Sequence, residues 1–314
     1  MGLHPQVEVV LQKLAGLGFP SLQTASMEEI RKAFAYSRTQ LKEIVTPLAD
    51  VSNQTIHSQE ADIPIRIYRP EGEGLLPVLV FFHGGGFVLG DLETTDNICR
   101  FLAHHARCIV VSVAYRLAPE HPYPAAVNDA IFAANWVAEH AEAFGGDSKR
   151  LGVGGESAGG NLAAQVTLWA RDQQGPKLSF QLLIYPGVHL RVDSPTCIEF
   201  QNKYNLTVDE MKWFHTHYLA HEEMGRLPEV SPLLAKSLSD LPPALVITAE
   251  FDPLRHDGEA YVDRLHASGT QAIGKRYDGM VHSFLNYSGE VDDSLRALEE
   301  IAEALYEAFY RASK

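Results

Sequence analysis

A serine hydroxyl becomes a useful nucleophile when the backbone drives it out of a tight turn, and Ser157 in Gly155-Glu156-Ser157-Ala158-Gly159 has that setting. The residues before it, Leu151-Gly-Val-Gly154, read as a strand, and those from Ala158 onward read as a helix. A sharp strand-to-helix turn would hold Ser157 in a strained conformation, while Gly155 and Gly159 let strand and helix pass closely. Attack on a carbonyl also needs donors for the oxygen that gains charge. His83-Gly84-Gly85-Gly86-Phe87 directly follows the apolar run Val78 to Phe82, and its glycines expose backbone N–H groups with no side chain in the way. Gly84 and Gly85 are the expected oxyanion donors, with Ala158 N–H as the third beside the positive end of its helix. Each such donor typically contributes about 3 to 4 kcal/mol to the transition state. A phosphate cradle is the rival use of these glycines. It fails on pattern, because neither site completes G-x-G-x-x-G and no G-x-x-x-x-G-K-[ST] occurs.

The nucleophile needs a base, and the base needs an orienting carboxylate, which follow it in the order acid, then histidine. Among 14 histidines, His256, His266 and His282 lie beyond the strand that ends near Thr248. His266 sits inside a helical pattern and His256 at a helix start. His282, in Tyr277-Asp-Gly-Met-Val-His-Ser-Phe, falls after the last strand, where a loop can bring its imidazole to Ser157. Asp252, in Ala249-Glu-Phe-Asp-Pro-Leu-Arg, stands just past the end of a buried strand and is the expected acid. Glu250 is one residue out of phase, and Asp278 reads as a turn residue. One further pair, His217 and His221, is spaced to share a helix face and could touch a metal. No carboxylate or cysteine motif completes that set, so a metal is not expected.

These residues must be positioned by a sheet. From about Ile63 the chain alternates β-rich runs with helical patterns, the signature of an α/β layout with helices on both faces. Expected strands are 63–68, 78–82, 109–114, 151–154, 182–185, 244–248 and 272–277. Expected helices are 95–107, 125–141, 158–171, 258–267 and an amphipathic 294–312. Two segments interrupt the alternation. Residues 5–45 carry two amphipathic helical patterns, the second opened by Ser26 and Glu29 as a capping box. Residues 189–226 are rich in His, Tyr, Phe and Trp. The expected division is therefore 1–50 as N-terminal cap helices, 51–188 and 227–314 as the catalytic domain, and 189–226 as a second cap segment over the sheet's carboxyl edge.

Composition narrows the partners. Of 314 residues, 26 are Lys or Arg and 40 are Asp or Glu, a formal charge of −14 that would repel nucleic acid. Three scattered cysteines, Cys99, Cys108 and Cys197, supply neither a disulfide framework nor a zinc site and suit a reducing compartment. Charged residues break up the N-terminal apolar stretch, so a cytoplasmic protein without integral membrane association is expected. An exposed sheet edge would offer the surface for a homodimer.

Taken together, His83-Gly-Gly-Gly-Phe87, Tyr115-Arg-Leu-Ala-Pro-Glu-His-Pro-Tyr-Pro-Ala-Ala126, Gly155-Glu-Ser-Ala-Gly-Gly160, Asp252-Pro-Leu-Arg255 and the His282 loop resemble the hormone-sensitive-lipase-like α/β hydrolases, including bacterial family IV carboxylesterases. The resemblance spans roughly residues 60–310. It implies an eight-stranded, mostly parallel sheet with a helical cap, hydrolysis of short-to-medium acyl esters as small-molecule substrates, and no cofactor. Glu156 stands where members usually carry Asp or Thr, and His256 where an acidic residue commonly follows Asp252-Pro-Leu-Arg255; both bear on subgroup and substrate. Two other uses of the same residues are an amidase or deacetylase and a non-catalytic small-molecule receptor on a hydrolase scaffold.

Overall fold

The computed structural model describes residues 2–201 and 203–311. Two helices come first, α1 (Pro5–Ala15) and α2 (Met27–Thr39), followed by strands β1 (Asp50–His57), β2 (Asp62–Arg69) and β3 (Leu76–Phe82). The alternation then runs α3 (Asp96–His105), β4 (Ile109–Val113), α4 (Ala125–His140), β5 (Gly146–Glu156), α5 (Ala158–Asp172) and β6 (Phe180–Ile184). Helices α6 (Pro195–Phe200) and α7 (Val208–Tyr218) interrupt it before β7 (Ala244–Phe251), α8 (Arg255–Ala267), β8 (Ala272–Val281) and α9 (Asp292–Tyr310).

The strands form one eight-stranded sheet in the order β1-β2-β4-β3-β5-β6-β7-β8. β1 and β2, and β2 and β4, pair antiparallel, and every other pairing is parallel. Parallel strands covered on both faces must be apolar throughout, and Leu-Pro-Val-Leu-Val-Phe-Phe of β3 is buried at every position. Its side chains divide by pleat. Val78, Val80 and Phe82 enter one core layer with Ala130, Leu162 and Tyr261, whereas Leu79 and Phe81 enter the other with Leu102, Leu298 and Leu305. The chain leaves β3 for β4 on one side and then crosses to β5 on the other. This reversal opens a crevice beyond the carboxyl ends of β3 and β5, where an open α/β sheet receives ligands.

The N-terminal helices lie over that crevice and are tied to the core. α2 begins with the expected capping box, Ser26 and Glu29 each bonding the other's backbone. One turn later Arg31 donates from Nε to the Val88 carbonyl at 3.0 Å and from Nη2 to the Ala118 carbonyl at 2.9 Å. It also pairs with Glu120 at 2.7 Å. α1 is fastened at the opposite side by His4 N–H to the Gly279 carbonyl and by Lys13 to Glu290.

Several elements depart from the sequence expectation. β1 was not expected at all, and it pairs along its whole length with β2. β8 runs on to Val281, so Asp278, expected in a turn, lies within a strand and pairs with Arg276 at 2.9 Å. α7 ends at Tyr218, which leaves His221 beyond the helix and removes the face it was expected to share with His217. The His217 ring instead donates from Nδ1 to the Trp213 carbonyl at 2.8 Å and packs on the Trp213 ring. Among the described residues, no group of three His, Cys, Asp or Glu side chains could hold a metal ion, and no helix is long and apolar enough to cross a membrane. The end of the expected C-terminal helix at 312 lies outside the described residues.

Candidate active site

Ser157 stands between the end of β5 and the start of α5 with φ 55° and ψ −116°. A side chain other than glycine's adopts this conformation only under constraint. Here the constraint is visible on both sides. Ser157 N–H donates to the Ile184 carbonyl at the end of β6, and its carbonyl accepts from Gly187 N–H and Asn161 N–H. Close approach explains the flanking glycines: a Cβ on Gly159 would lie 1.9 Å from the Phe82 carbonyl oxygen, and one on Gly155 would lie 2.4 Å from Gly159 backbone. The turn is tight because α5 crosses directly over the end of β3.

The three residues singled out for nucleophile, base and acid meet at this turn. His282 Nε2 lies 2.9 Å from Ser157 Oγ, and His282 Nδ1 lies 2.7 Å from Asp252 Oδ2. With its proton on Nδ1 facing the carboxylate, the ring leaves Nε2 free to accept from the serine hydroxyl. Asp252 is fully buried, and its other oxygen, Oδ1, accepts from Leu254 N–H at 2.8 Å. The first residue past β8, His282, is 4% exposed. Its carbonyl accepts from Asn205 Nδ2 at 2.9 Å, so the second interruption of the fold reaches across to hold the histidine's backbone.

The glycine loop after β3 faces the same hydroxyl across a cavity of about 320 Å³, which Gly84, Gly85, Ser157, Ala158 and His282 all line. Among the described residues Gly84 and Gly85 N–H have no protein acceptor, and Ala158 N–H is one of the unpaired first-turn donors of α5. The loop's shape is enforced from within. Gly85 has φ 121°, and its carbonyl accepts from Val88 and Leu89 N–H. His83 is buried and donates from Nδ1 to the Gly84 carbonyl at 2.7 Å, while Tyr115 stacks on it at 4.2 Å and donates to its carbonyl. Burial pushes the His83 pKa down, which keeps the ring neutral. At Gly86 the backbone has φ 62° and a Cβ would meet the Phe214 ring at 2.3 Å, so this aromatic ring of α7 closes directly onto the loop.

Several supporting residues escaped the sequence reading. Glu156, noted there only as a departure from a motif, is buried and accepts from Tyr185 Oη at 2.6 Å and from Asn286 Nδ2 at 3.2 Å. It thereby joins the serine turn to the end of β6 and to the loop after His282. Burial, reinforced by the Glu156 carboxylate, raises the Tyr185 pKa well above the usual phenol value, so the hydroxyl remains a donor. The Tyr185 ring meets His282 edge-on at 5.0 Å. No spacing rule could have found these partners, since they are 29 and 130 residues from Glu156. His256 lies at the start of α8, and its N–H donates to Thr196 Oγ1. His266 bonds the Ala272 carbonyl. Glu250, the rival acid, accepts from Gly279 N–H at 2.7 Å.

A family model described as an α/β hydrolase fold matches residues 79–286. The chain is 46% identical over 263 residues to carboxylic ester hydrolase LipN of Mycobacterium tuberculosis, covering 82% of this chain and 70% of that protein. It belongs to the hormone-sensitive-lipase-like family of α/β hydrolases. Carboxylesterase NlhH of Mycobacterium tuberculosis is a relative at 37% identity over 98% of both chains. Among solved structures, a hyperthermophilic esterase from Pyrobaculum calidifontis superposes with a TM-score of 0.91 at 40% identity, covering 98% of this chain and 99% of that one. The match extends beyond the sheet to the N-terminal helices and the α6–α7 interruption.

Proposed function

We propose that the chain is a serine carboxylesterase that cleaves short-to-medium acyl esters through an acyl-serine intermediate. In this reading His282 takes the Ser157 proton on Nε2 as Oγ bonds to the ester carbonyl carbon, and the carbonyl oxygen gains negative charge. The N–H groups of Gly84, Gly85 and Ala158 receive that charge. Asp252 holds the imidazole in the tautomer that can accept and stabilises the imidazolium without taking the proton. The imidazolium then protonates the departing alkoxide, releasing the alcohol and leaving the acyl group on Ser157. A water deprotonated by the same ring attacks the acyl-serine, and the acid product leaves as Oγ is reprotonated. The cap over the cavity, drawn from residues 1–50 and 189–226, bounds the substrate limbs in this proposal.

The observation that carries the proposal is the continuous chain Ser157 Oγ to His282 Nε2 and His282 Nδ1 to Asp252 Oδ2, at 2.9 and 2.7 Å. The ester class draws on the esterase relatives, and the size limit on the compact, mainly apolar cavity. A panel of para-nitrophenyl esters graded from acetate to laurate tests it. Hydrolysis should peak at short-to-medium chains, Ser157→Ala should abolish it, and a phosphonate ester should label Ser157 in the wild type alone. Turnover by Ser157→Ala at the wild-type level would refute the proposal.

A further inference from the structure

We propose that Arg38 makes the cavity a binding site for esters that carry a carboxylate on one limb. This rests on the ester-hydrolase reading and names a substrate class for the same site. Arg38, in the last turn of α2, is the only lysine or arginine among the described residues that line the cavity. Much of the surrounding wall is apolar, including Leu22, Phe34, Met211 and Leu254. The guanidinium lies over the Phe34 ring at 4.9 Å, a contact that attracts the cation without neutralising its charge. Among the described residues its side chain has no hydrogen-bond acceptor and no ion pair, and its Nε is buried without a partner.

The two carboxylates in the same lining do not supply the missing acceptor. Glu156 accepts from Tyr185 and Asn286, and Glu210 is occupied by the Thr207 backbone and hydroxyl at the start of α7. Other arginines of the fold are matched to acceptors, as Arg31 is to Glu120 and to the Val88 and Ala118 carbonyls, and Arg116 is to Asp129. A guanidinium stays charged at all working pH values, and leaving one partly desolvated without an acceptor is costly. An incoming carboxylate would satisfy it with the planar, two-oxygen geometry that arginine binds best. The formal charge of −14 repels anions at long range, so recognition of such a substrate has to come from a local cation. Arg38 is the residue placed to supply it.

The test compares matched ester pairs. On the acyl limb, mono(para-nitrophenyl) adipate and suberate are set against the neutral hexanoate and octanoate; on the alcohol limb, para-carboxyphenyl butyrate is set against phenyl butyrate. For at least one limb, the ratio of kcat/KM for the anionic to the neutral ester should fall about tenfold or more in Arg38→Gln and in Arg38→Leu. The loss should sit mainly in KM, shrink at high salt, and be partly restored by Arg38→Lys. A ratio that stays within threefold of wild type on both limbs overturns the proposal. Calorimetry on Ser157→Ala, which needs no turnover, gives an independent reading. Suberate should bind more tightly than to the Ser157→Ala, Arg38→Gln double variant, and equal affinities for the two would sink the Arg38 assignment. Failure of the hydrolase reading would appear separately, as absence of phosphonate labelling and of turnover on every neutral ester.

Discussion

Replacing Asp252 by Asn changes one atom, and the structure dictates which way the new amide must face. Leu254 N–H donates to Oδ1 at 2.8 Å inside a fully buried pocket, so the position facing Leu254 has to remain an oxygen. Turning the amide round would set an NH2 group against that N–H and orphan both, at a cost of several kcal/mol. The NH2 group is therefore forced onto the other side, 2.7 Å from His282 Nδ1. An amide N–H there requires Nδ1 to be the acceptor, which moves the ring proton to Nε2. Nε2 then faces Ser157 Oγ as a donor and cannot take its proton. Triads of this kind lose about 10⁴ in kcat on the same replacement, or roughly 5.5 kcal/mol of barrier. The expected outcome for Asp252→Asn is a fall of that order in kcat on para-nitrophenyl butyrate, with KM within a few-fold of wild type and the folded structure intact. Activity within tenfold of wild type, at a pH where the wild type is fully active, would refute the reasoning from Leu254 to tautomer to base.

Other substitutions test the supports. Glu156→Leu deprives the buried Tyr185 hydroxyl of its charged acceptor and weakens the hold on Asn286; the loss should be about 2 to 4 kcal/mol in urea unfolding, and an unshifted midpoint would show the network to be dispensable. Gly159→Ala sets a methyl 1.9 Å from the Phe82 carbonyl oxygen, a backbone atom that cannot swing aside, so soluble expression and thermal midpoint should both collapse; a variant melting within about 2 °C of wild type would contradict the close approach of α5 to β3. Burial, with a smaller contribution from His189, pushes the His215 pKa down to about 4. Because the unfolded ring titrates near 6.5, the unfolded state binds the extra proton between those values. Stability from this group is then complete above about pH 6.5 and declines by up to about 3 kcal/mol as pH falls to about 4. His215→Leu should flatten that part of the acid limb, and denaturation curves with an unchanged slope would rule the histidine out as its source.

What could be read before folding, and what could not, follows from how locally each signal is written. The serine turn is local: its glycines, preceding strand and following helix lie within one short stretch, and so does the His83 loop. Asp252 was reachable because it sits just past a buried apolar strand, and His282 because the other two late histidines, His256 and His266, fall in helical patterns. β1 was invisible for the opposite reason. Asp-Val-Ser-Asn-Gln-Thr-Ile-His buries only Ile56, so an edge strand paired on one side shows almost no periodicity. The expected 151–154 strand grew at both ends into β5, because polar Asp147, Ser148 and Lys149 and the later glycines conceal an extension that neighbouring strands complete by pairing. Asp278 looked like a turn residue beside Gly279, yet β8 continues through it after the register shift near Ala249. The Glu156, Tyr185 and Asn286 junction and the Asn205 tie to His282 join distant segments, and pattern within any one segment says nothing of them.

The distribution of backbone strain gives the site its precision. Eight non-glycine residues among those described have positive φ, and four of them, Phe87, Ser157, Tyr185 and Ser283, belong to the segments that frame the serine. Each such conformation costs on the order of 1 to 3 kcal/mol and persists only where its surroundings hold it. Those surroundings are specific here: Phe87 stacks on Tyr218 at 3.9 Å, Ser157 is clamped by Ile184 and Gly187, Tyr185 is bonded through N–H to Ile247 and through its hydroxyl to Glu156, and Ser283 follows the histidine whose carbonyl Asn205 holds. Relaxing the turn at Ser157 would carry its hydroxyl away from His282, because the hydrogen bonds at 2.9 and 2.7 Å tolerate little displacement. The apolar layers on both faces of the sheet therefore do more than keep the chain folded. They supply the stability against which four unfavourable backbone conformations can be held at one point, and the hydrogen-bonded arrangement of Ser157, His282 and Asp252 is the result.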